Sequence, residues 1–229
     1  MACRRFLVTN DDGWDAPGLA ALVSTARRFG EVIVVAPASP QSYCGHRVNT
    51  DRPMQLTRTG EDSHHLDGSP ADCVRVALRG LGVEACFVLS GINRGGNLGA
   101  DLYTSGTCAA AREAVLLGVP AIAVSQYVQR GLQLDWAQSE AIFAPVLERL
   151  LDGGTAAERY WNVNLPHVPG DFNPRVVECL PDIQPLDVRF REDSGLWRYD
   201  GSYINRPRTP GRDVELCFSG AVTVSAVAL

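Results

Sequence analysis

The 229-residue chain lacks a surplus of basic charge: 21 Lys and Arg stand against 26 Asp and Glu, a formal net charge of −5. That excludes a protein that coats a nucleic-acid polymer, because a phosphate backbone demands clustered Lys and Arg. The chain also lacks any apolar run near the ~20 residues needed to cross a bilayer, so no membrane partner is expected. The N-terminus enters a strand almost at once, without the apolar stretch of a signal peptide. The seven cysteines (Cys3, Cys44, Cys73, Cys86, Cys108, Cys179 and Cys217) are odd in number, scattered, and form no C-x-x-C pair. This disfavours a zinc site and predicts reduced thiols in a cytoplasmic protein.

What is present is an ordinary globular balance, 45% hydrophobic and 21% charged, sufficient for a real core. Arg5 to Thr9 reads as a short buried strand, and Pro17 to Phe29 as a helix with Leu19, Leu22, Val23, Ala26 and Phe29 on one face. Pro17 suits the first helical turn and Gly30 the position past the last. Val32 to Ala36 is β-branched and continuous, as a central parallel strand should be. Residues 45–66 read as a hairpin excursion. Ser69 then caps a helix with Asp72 in its first turn. Strands over Cys86 to Leu89, Ala121 to Val124 and Trp161 to Leu165 alternate with helices over Thr107 to Leu117 and Trp136 to Leu151.

Repeated βα units of this kind predict an α/β fold, a parallel sheet with helices on both faces. After Pro166 prolines and short strand-like runs take over (Val176 to Leu180, Val188 to Arg191, Val214 to Phe218, Val222 to Val227). The expected division is a catalytic core over 1–166 and a β-rich C-terminal extension over 167–229, either a subdomain or an arm that pairs with another subunit.

In an open parallel sheet, ligands bind beyond the carboxyl ends of the strands. Asn10-Asp11-Asp12-Gly13 follows the first strand, and Pro37 to Gly45 follows the second. Ser90 to Gly99 (S-G-I-N-R-G-G-N-L-G) follows the strand that ends near Leu89, and leads to Ser105-Gly106-Thr107 at a helix start. Adjacent carboxylates beside a buried strand resist ionising together unless a counter-charge is supplied. A hard divalent cation supplies it and prefers oxygen ligands; alone, however, Asp-Asp-Gly reads first as a turn.

The glycines of Gly91 to Gly99 would let backbone N–H groups approach an anion, with a plain flexible loop as the alternative. The spacing is neither a dinucleotide fingerprint nor a P-loop. Ser105-Gly106-Thr107 before an Ala-rich helix suits a phosphate, or is an ordinary N-cap. His46 is a possible proton donor, though a lone His more often serves as a polar surface residue, and Asp72 reads as a helix-start carboxylate. No G-x-S-x-G elbow supports a serine nucleophile.

Six ordered motifs resemble the SurE survival-protein family. They are V-T-N-D-D-G (Val8 to Gly13), A-P-x-x-x-x-S-x-x-G-H (Ala36 to His46), G-S-P-A-D-C (Gly68 to Cys73), the Ser90 to Gly99 run, S-G-T-x-A-A (Ser105 to Ala110) and N-V-N-L-P (Asn162 to Pro166). The resemblance implies a Rossmann-like core whose C-terminal extension is exchanged between subunits of a homodimer, sometimes assembled into a tetramer. It implies a metal-dependent phosphomonoesterase acting on nucleoside 5'- and 3'-monophosphates, with one Mg²⁺ or Mn²⁺ per subunit.

Carried over by position, Asp11, Asp12, Ser42 and Asn93 would be metal ligands, Asp11 and Asp12 also acting in catalysis. Asn97, Ser105, Gly106 and Thr107 would hold the phosphate. Two departures from the family pattern bear on substrate preference and rate: Ala38 stands where Asp is usual, and Tyr103 is separated from Ser105 by Thr104. Two rival readings are a phosphatase with Asp11 as a covalent nucleophile and a non-catalytic nucleotide-binding module on the same fold.

Overall fold

The computed structural model describes residues 5–153, 158–170 and 172–229; Cys3 lies outside them. The expected α/β alternation is present, with sharper boundaries. Strand β1 (Arg5–Thr9) leads through helix α1 (Pro17–Arg27) to β2 (Glu31–Pro37). The hairpin β3 (Leu56–Gly60) and β4 (Ser63–Leu66) precedes α2 (Pro70–Arg75). Then come β5 (Phe87–Arg94), α3 (Gly106–Leu116), β6 (Ala121–Gln126), α4 (Trp136–Gly153) and β7 (Arg159–Leu165). The C-terminal segment adds β8 (Val176–Glu178), β9 (Phe190–Asp193), β10 (Leu196–Tyr199), α5 (Asp213–Phe218) and β11 (Val222–Ala228).

Nine strands form one sheet in the order β3-β4-β2-β1-β5-β6-β7-β11-β8. From β4 to β7 all neighbours are parallel. Such strands are covered on both faces. On one face α1 and α4 bury Leu19, Leu22, Phe143 and Leu147 against Val8, Leu89 and Val124. On the other, α2 and α3 bury Cys73, Val74, Ala110 and Ala114 against Leu7, Val88 and Ala121. The chain leaves β1 toward β2 on one side and leaves β5 toward β6 on the other. The β1/β5 boundary is therefore the topological switch point, where a crevice opens beyond the strand ends.

Four sequence expectations change. The hairpin is no excursion: β4 pairs in parallel with β2, so β3 and β4 extend the main sheet. Strand β5 does not stop at Leu89 but runs through Ser90 to Arg94, with its register to β6 shifting between Ser90 and Asn93. The run Val214 to Phe218 is helix α5, not a strand. Five apolar-rich residues cannot be told apart by period; here burial of Val214 and Cys217 against Leu98 and Tyr127 selects the helix. The expected strand at Val188 to Arg191 sits slightly later, as β9, and pairs only with β10. In the same segment β11 lies antiparallel to β7, with β8 beside it.

Candidate active site

Asp11 and Asp12 leave the end of β1 directly into the switch-point crevice. Asn10 shapes the turn by donating from Nδ2 to the Gly13 carbonyl at 2.7 Å. Asp11 is 5% exposed. Burial, and then the charge of Asp12, push its carboxyl up from 3.8 to about 6, against the Thr107 hydroxyl, which pulls it down. Asp12 is also raised, chiefly by burial, although the Arg94 backbone N–H donates to its Oδ2 at 2.8 Å. Two neighbouring carboxylates are thus desolvated, and neither forms an ion pair among the described residues.

The second loop is tied to the first. The Gln41 N–H donates to the Asp11 carbonyl at 2.8 Å, and the Gly45 N–H to the Thr104 carbonyl at 3.0 Å. This brings Ser42 to the cavity that also holds Asp11, Asp12 and Asn93. Asn93 donates from Nδ2 to the Gly95 carbonyl at 2.7 Å, which leaves Oδ1 as the atom free to accept a cation. No three His, Cys, Asp or Glu side chains gather as a metal group among the described residues. The set here is instead two carboxylates, a hydroxyl and an amide oxygen. An all-oxygen set around two carboxylates without an ion-pair partner among the described residues suits a hard divalent cation.

Two close approaches make these positions possible. A Cβ on Gly91 would stand 2.1 Å from the Val124 carbonyl oxygen, so only glycine lets β5 lie this close to β6 there. A Cβ on Gly106 would stand 2.9 Å from Asp11 Cβ and 2.9 Å from Cys44 Sγ. Without a side chain at 106, α3 can begin directly against the carboxylate.

The expected phosphate residues divide. Asn97 and Ser105 line the cavity. Ser105 caps α3 by accepting from the Cys108 N–H at 3.0 Å, and its hydroxyl also lies against the Cys108 thiol. Gly106 and Thr107 do not line it. Thr107 is fully buried, and its hydroxyl donates to Asp11 Oδ1 at 2.5 Å. The start of α3 faces Asp11. Within the glycine-rich run four N–H groups have protein acceptors, whereas that of Gly96, in the cavity wall, has none among the described residues. Gly95 donates to the Gln126 carbonyl, Asn97 to Asn164 Oδ1, Leu98 to Asp101 Oδ2 and Gly99 to Asp213 Oδ2.

His46 lies outside the cavity lining, with Nε2 2.7 Å from Glu113 Oε2. Asp72 forms a capping box with Ser69, as its position at the helix start suggests. The cavity measures about 620 Å³, a volume suited to a whole small-molecule ligand. Sequence reasoning missed Arg94 as a lining residue, although it stands inside a motif already singled out. It also missed Leu186, Val188, Tyr199, Tyr203 and Arg206. No local signal marks these; the C-terminal segment brings them there. Tyr203 donates to the Gly96 carbonyl at 3.2 Å, and Arg206 pairs with Asp101 at 2.6 Å.

Comparison with known proteins agrees with this architecture. The family model described as Survival protein SurE matches residues 6–179. A provisionally named 5'-nucleotidase of Nostoc sp. is 44% identical over 222 residues, covering 96% of this chain and 97% of its own. A protein of Rhizorhabdus wittichii named 5'-nucleotidase SurE is 39% identical over 233 residues, covering 96% and 92%. The crystal structure of SurE protein from Aquifex aeolicus matches with a TM-score of 0.88 at 28% identity, covering 98% of this chain and 93% of that one. With the family model spanning most of the chain and relatives aligned nearly end to end, this protein belongs to the SurE survival-protein family.

Proposed function

We propose that this chain is a metal-dependent nucleotidase that hydrolyses nucleoside 5'-monophosphates, and 3'-monophosphates, to nucleoside and phosphate. The observation that carries the reading is the Asp11–Asp12 pair, desolvated and without an ion-pair partner, in a cavity shared with Ser42 and Asn93. The 5'-nucleotidase names of its relatives support the same reading.

Asp11, Asp12, Ser42 and Asn93 would hold one divalent ion, Mg²⁺ or Mn²⁺, per subunit. When bound, such an ion supplies Lewis acidity to the phosphoryl group and to water. Either Asp11 or Asp12 would position the attacking water while the other stays on the ion. The Ser105 hydroxyl and the second amide proton of Asn97 donate to phosphoryl oxygens; the first is engaged by Ser125 Oγ at 2.8 Å. Gly106 and Thr107 contribute through Asp11. Leu186, Val188 and Tyr199 give the cavity an apolar part that suits the nucleoside.

The exposed apolar arm, with Ile183 81%, Leu196 63% and Trp197 70% accessible, is assigned to contact with a second copy in a homodimer or tetramer. A cytoplasmic location fits the six described cysteines, all free thiols. No helix is long and apolar enough to cross a membrane among the described residues.

The test is phosphate release from nucleoside 5'- and 3'-monophosphates with Mg²⁺, Mn²⁺ or EDTA, on the wild type and Asp11→Asn. Metal-dependent release that Asp11→Asn abolishes is expected. Activity that survives thorough chelation, or that Asp11→Asn retains, overturns the proposal.

A further inference from the structure

The cavity is lined by four carboxylates and two guanidinium groups. Asp101 is paired with Arg206 at 2.6 Å and Asp187 with Arg189 at 2.8 Å. Arg206 is fully engaged: it is 6% exposed, also donates to the Leu98 carbonyl at 3.2 Å, and lies over the Tyr203 ring at 5.0 Å. Once these pairs are set aside, Asp11, Asp12 and Arg94 remain. The Arg94 guanidinium is exposed and has no hydrogen-bond or ion-pair partner among the described residues. Its backbone, by contrast, is held firmly. Arg94 ends β5 in register with Gln126 of β6, and its N–H donates to Asp12 Oδ2. Its charge reaches the Asp12 carboxyl and offsets part of the rise that burial imposes there.

We propose that the Arg94 side chain binds the phosphate dianion of substrate and product. A free guanidinium on a rigid strand end, beside carboxylates that repel an anion, is, among the described residues, the one unpaired cationic side chain of the cavity lining and adds charge to the Ser105 and Asn97 donors. A planar fork of N–H donors matches two phosphate oxygens at once. Of the neighbouring glycine-run N–H groups, those of Gly95, Asn97, Leu98 and Gly99 are occupied by protein acceptors, and that of Gly96, without one among the described residues, brings no full positive charge to the dianion. The inference rests on the nucleotidase reading and names one phosphate contact within it.

The experiment compares wild type, Arg94→Gln and Arg94→Lys, all loaded with Mg²⁺. Inorganic phosphate affinity is read by calorimetry, and KM and kcat by release of phosphate from nucleoside monophosphates. Arg94→Gln is expected to weaken phosphate binding about tenfold and to raise KM by a similar factor. Its kcat should stay within about threefold of wild type, as for a contact made equally in the ground and transition states. Arg94→Lys, a point charge without the fork, should fall between.

Wild-type phosphate affinity in Arg94→Gln overturns the assignment, whatever happens to kcat. If Arg94→Gln melts well below wild type, the Arg94→Lys affinity decides instead: no loss against wild type overturns the two-point contact. A wild type that releases no phosphate from any nucleotide removes the nucleotidase reading. An active wild type with an indifferent Arg94→Gln removes only the Arg94 assignment.

Discussion

Thr107 Oγ1 donates to Asp11 Oδ1 at 2.5 Å, joining the exit of β1 to the first turn of α3 across 96 residues of chain. The bond opposes the rise in proton affinity that burial imposes on Asp11. Thr107→Val keeps the side-chain volume and removes the donor. Asp11 then holds its proton to a higher pH than about 6. In the metal-free protein the titration of the Asp11 carboxyl, followed by NMR, should move up from about 6. An unmoved titration would mean that the Thr107 bond does not hold the Asp11 proton affinity down.

Removing the metal should make stability depend on pH in a defined direction. Asp11 is raised in the folded protein, from 3.8 to about 6. Its favourable contribution is fully present below the unfolded value and is lost as pH rises through the folded one, on the order of 3 kcal/mol. A cation that binds the ionised pair reverses the trend by mass action. Thermal melts with Mg²⁺ or EDTA should differ most near pH 8 and little near pH 5. Equal stabilisation at both would be evidence against binding at this pair.

Gly106→Ala should damage activity more than folding. The added methyl would meet Asp11 Cβ and Cys44 Sγ at 2.9 Å. Both the carboxylate and the Ser42 loop must then shift. Overpacking of this kind costs about 1–3 kcal/mol, whereas misplacing a reacting group by an ångström costs on the order of 100-fold in rate. Urea titration and kcat/KM measured side by side separate the two effects.

Ser69→Ala is the contrasting case. Ser69 Oγ accepts from the Asp72 N–H at 3.1 Å, and Asp72 Oδ2 accepts from the Ser69 N–H at 2.9 Å. Loss of the cap should cost about 1 kcal/mol, seen as a lower urea midpoint. The rate per folded molecule should stay at the wild-type value under metal saturation. A large rate loss would give α2 a role in the site that its geometry does not suggest.

Much of the molecule was legible from local patterns. The Ser69 cap, Pro17 at the first turn of α1 and the β-branched run of β2 each depend on near neighbours in sequence. So does the grouping of Asp11, Ser42, Asn93 and Ser105, because in a parallel sheet the residues after each strand must emerge at one edge. What was misread fails for a physical reason in each case. The motif Ser90 to Arg94 looks like a loop because of its polar and glycine content, yet its backbone completes a ladder with β6. Gly91 admits the close packing there.

The α/β alternation, the sheet edge that carries the candidate site and the oxygen-bearing residues placed there follow from the order of residues alone, since period, capping and chain direction are local properties. Which atoms those residues address is set by long-range packing. Thr107 turns to Asp11, the glycine-run N–H groups find Gln126, Asn164 and Asp213, and Arg206 reaches back to Asp101, leaving Arg94 free. Each choice depends on distances between residues tens to a hundred positions apart, and no local pattern encodes those.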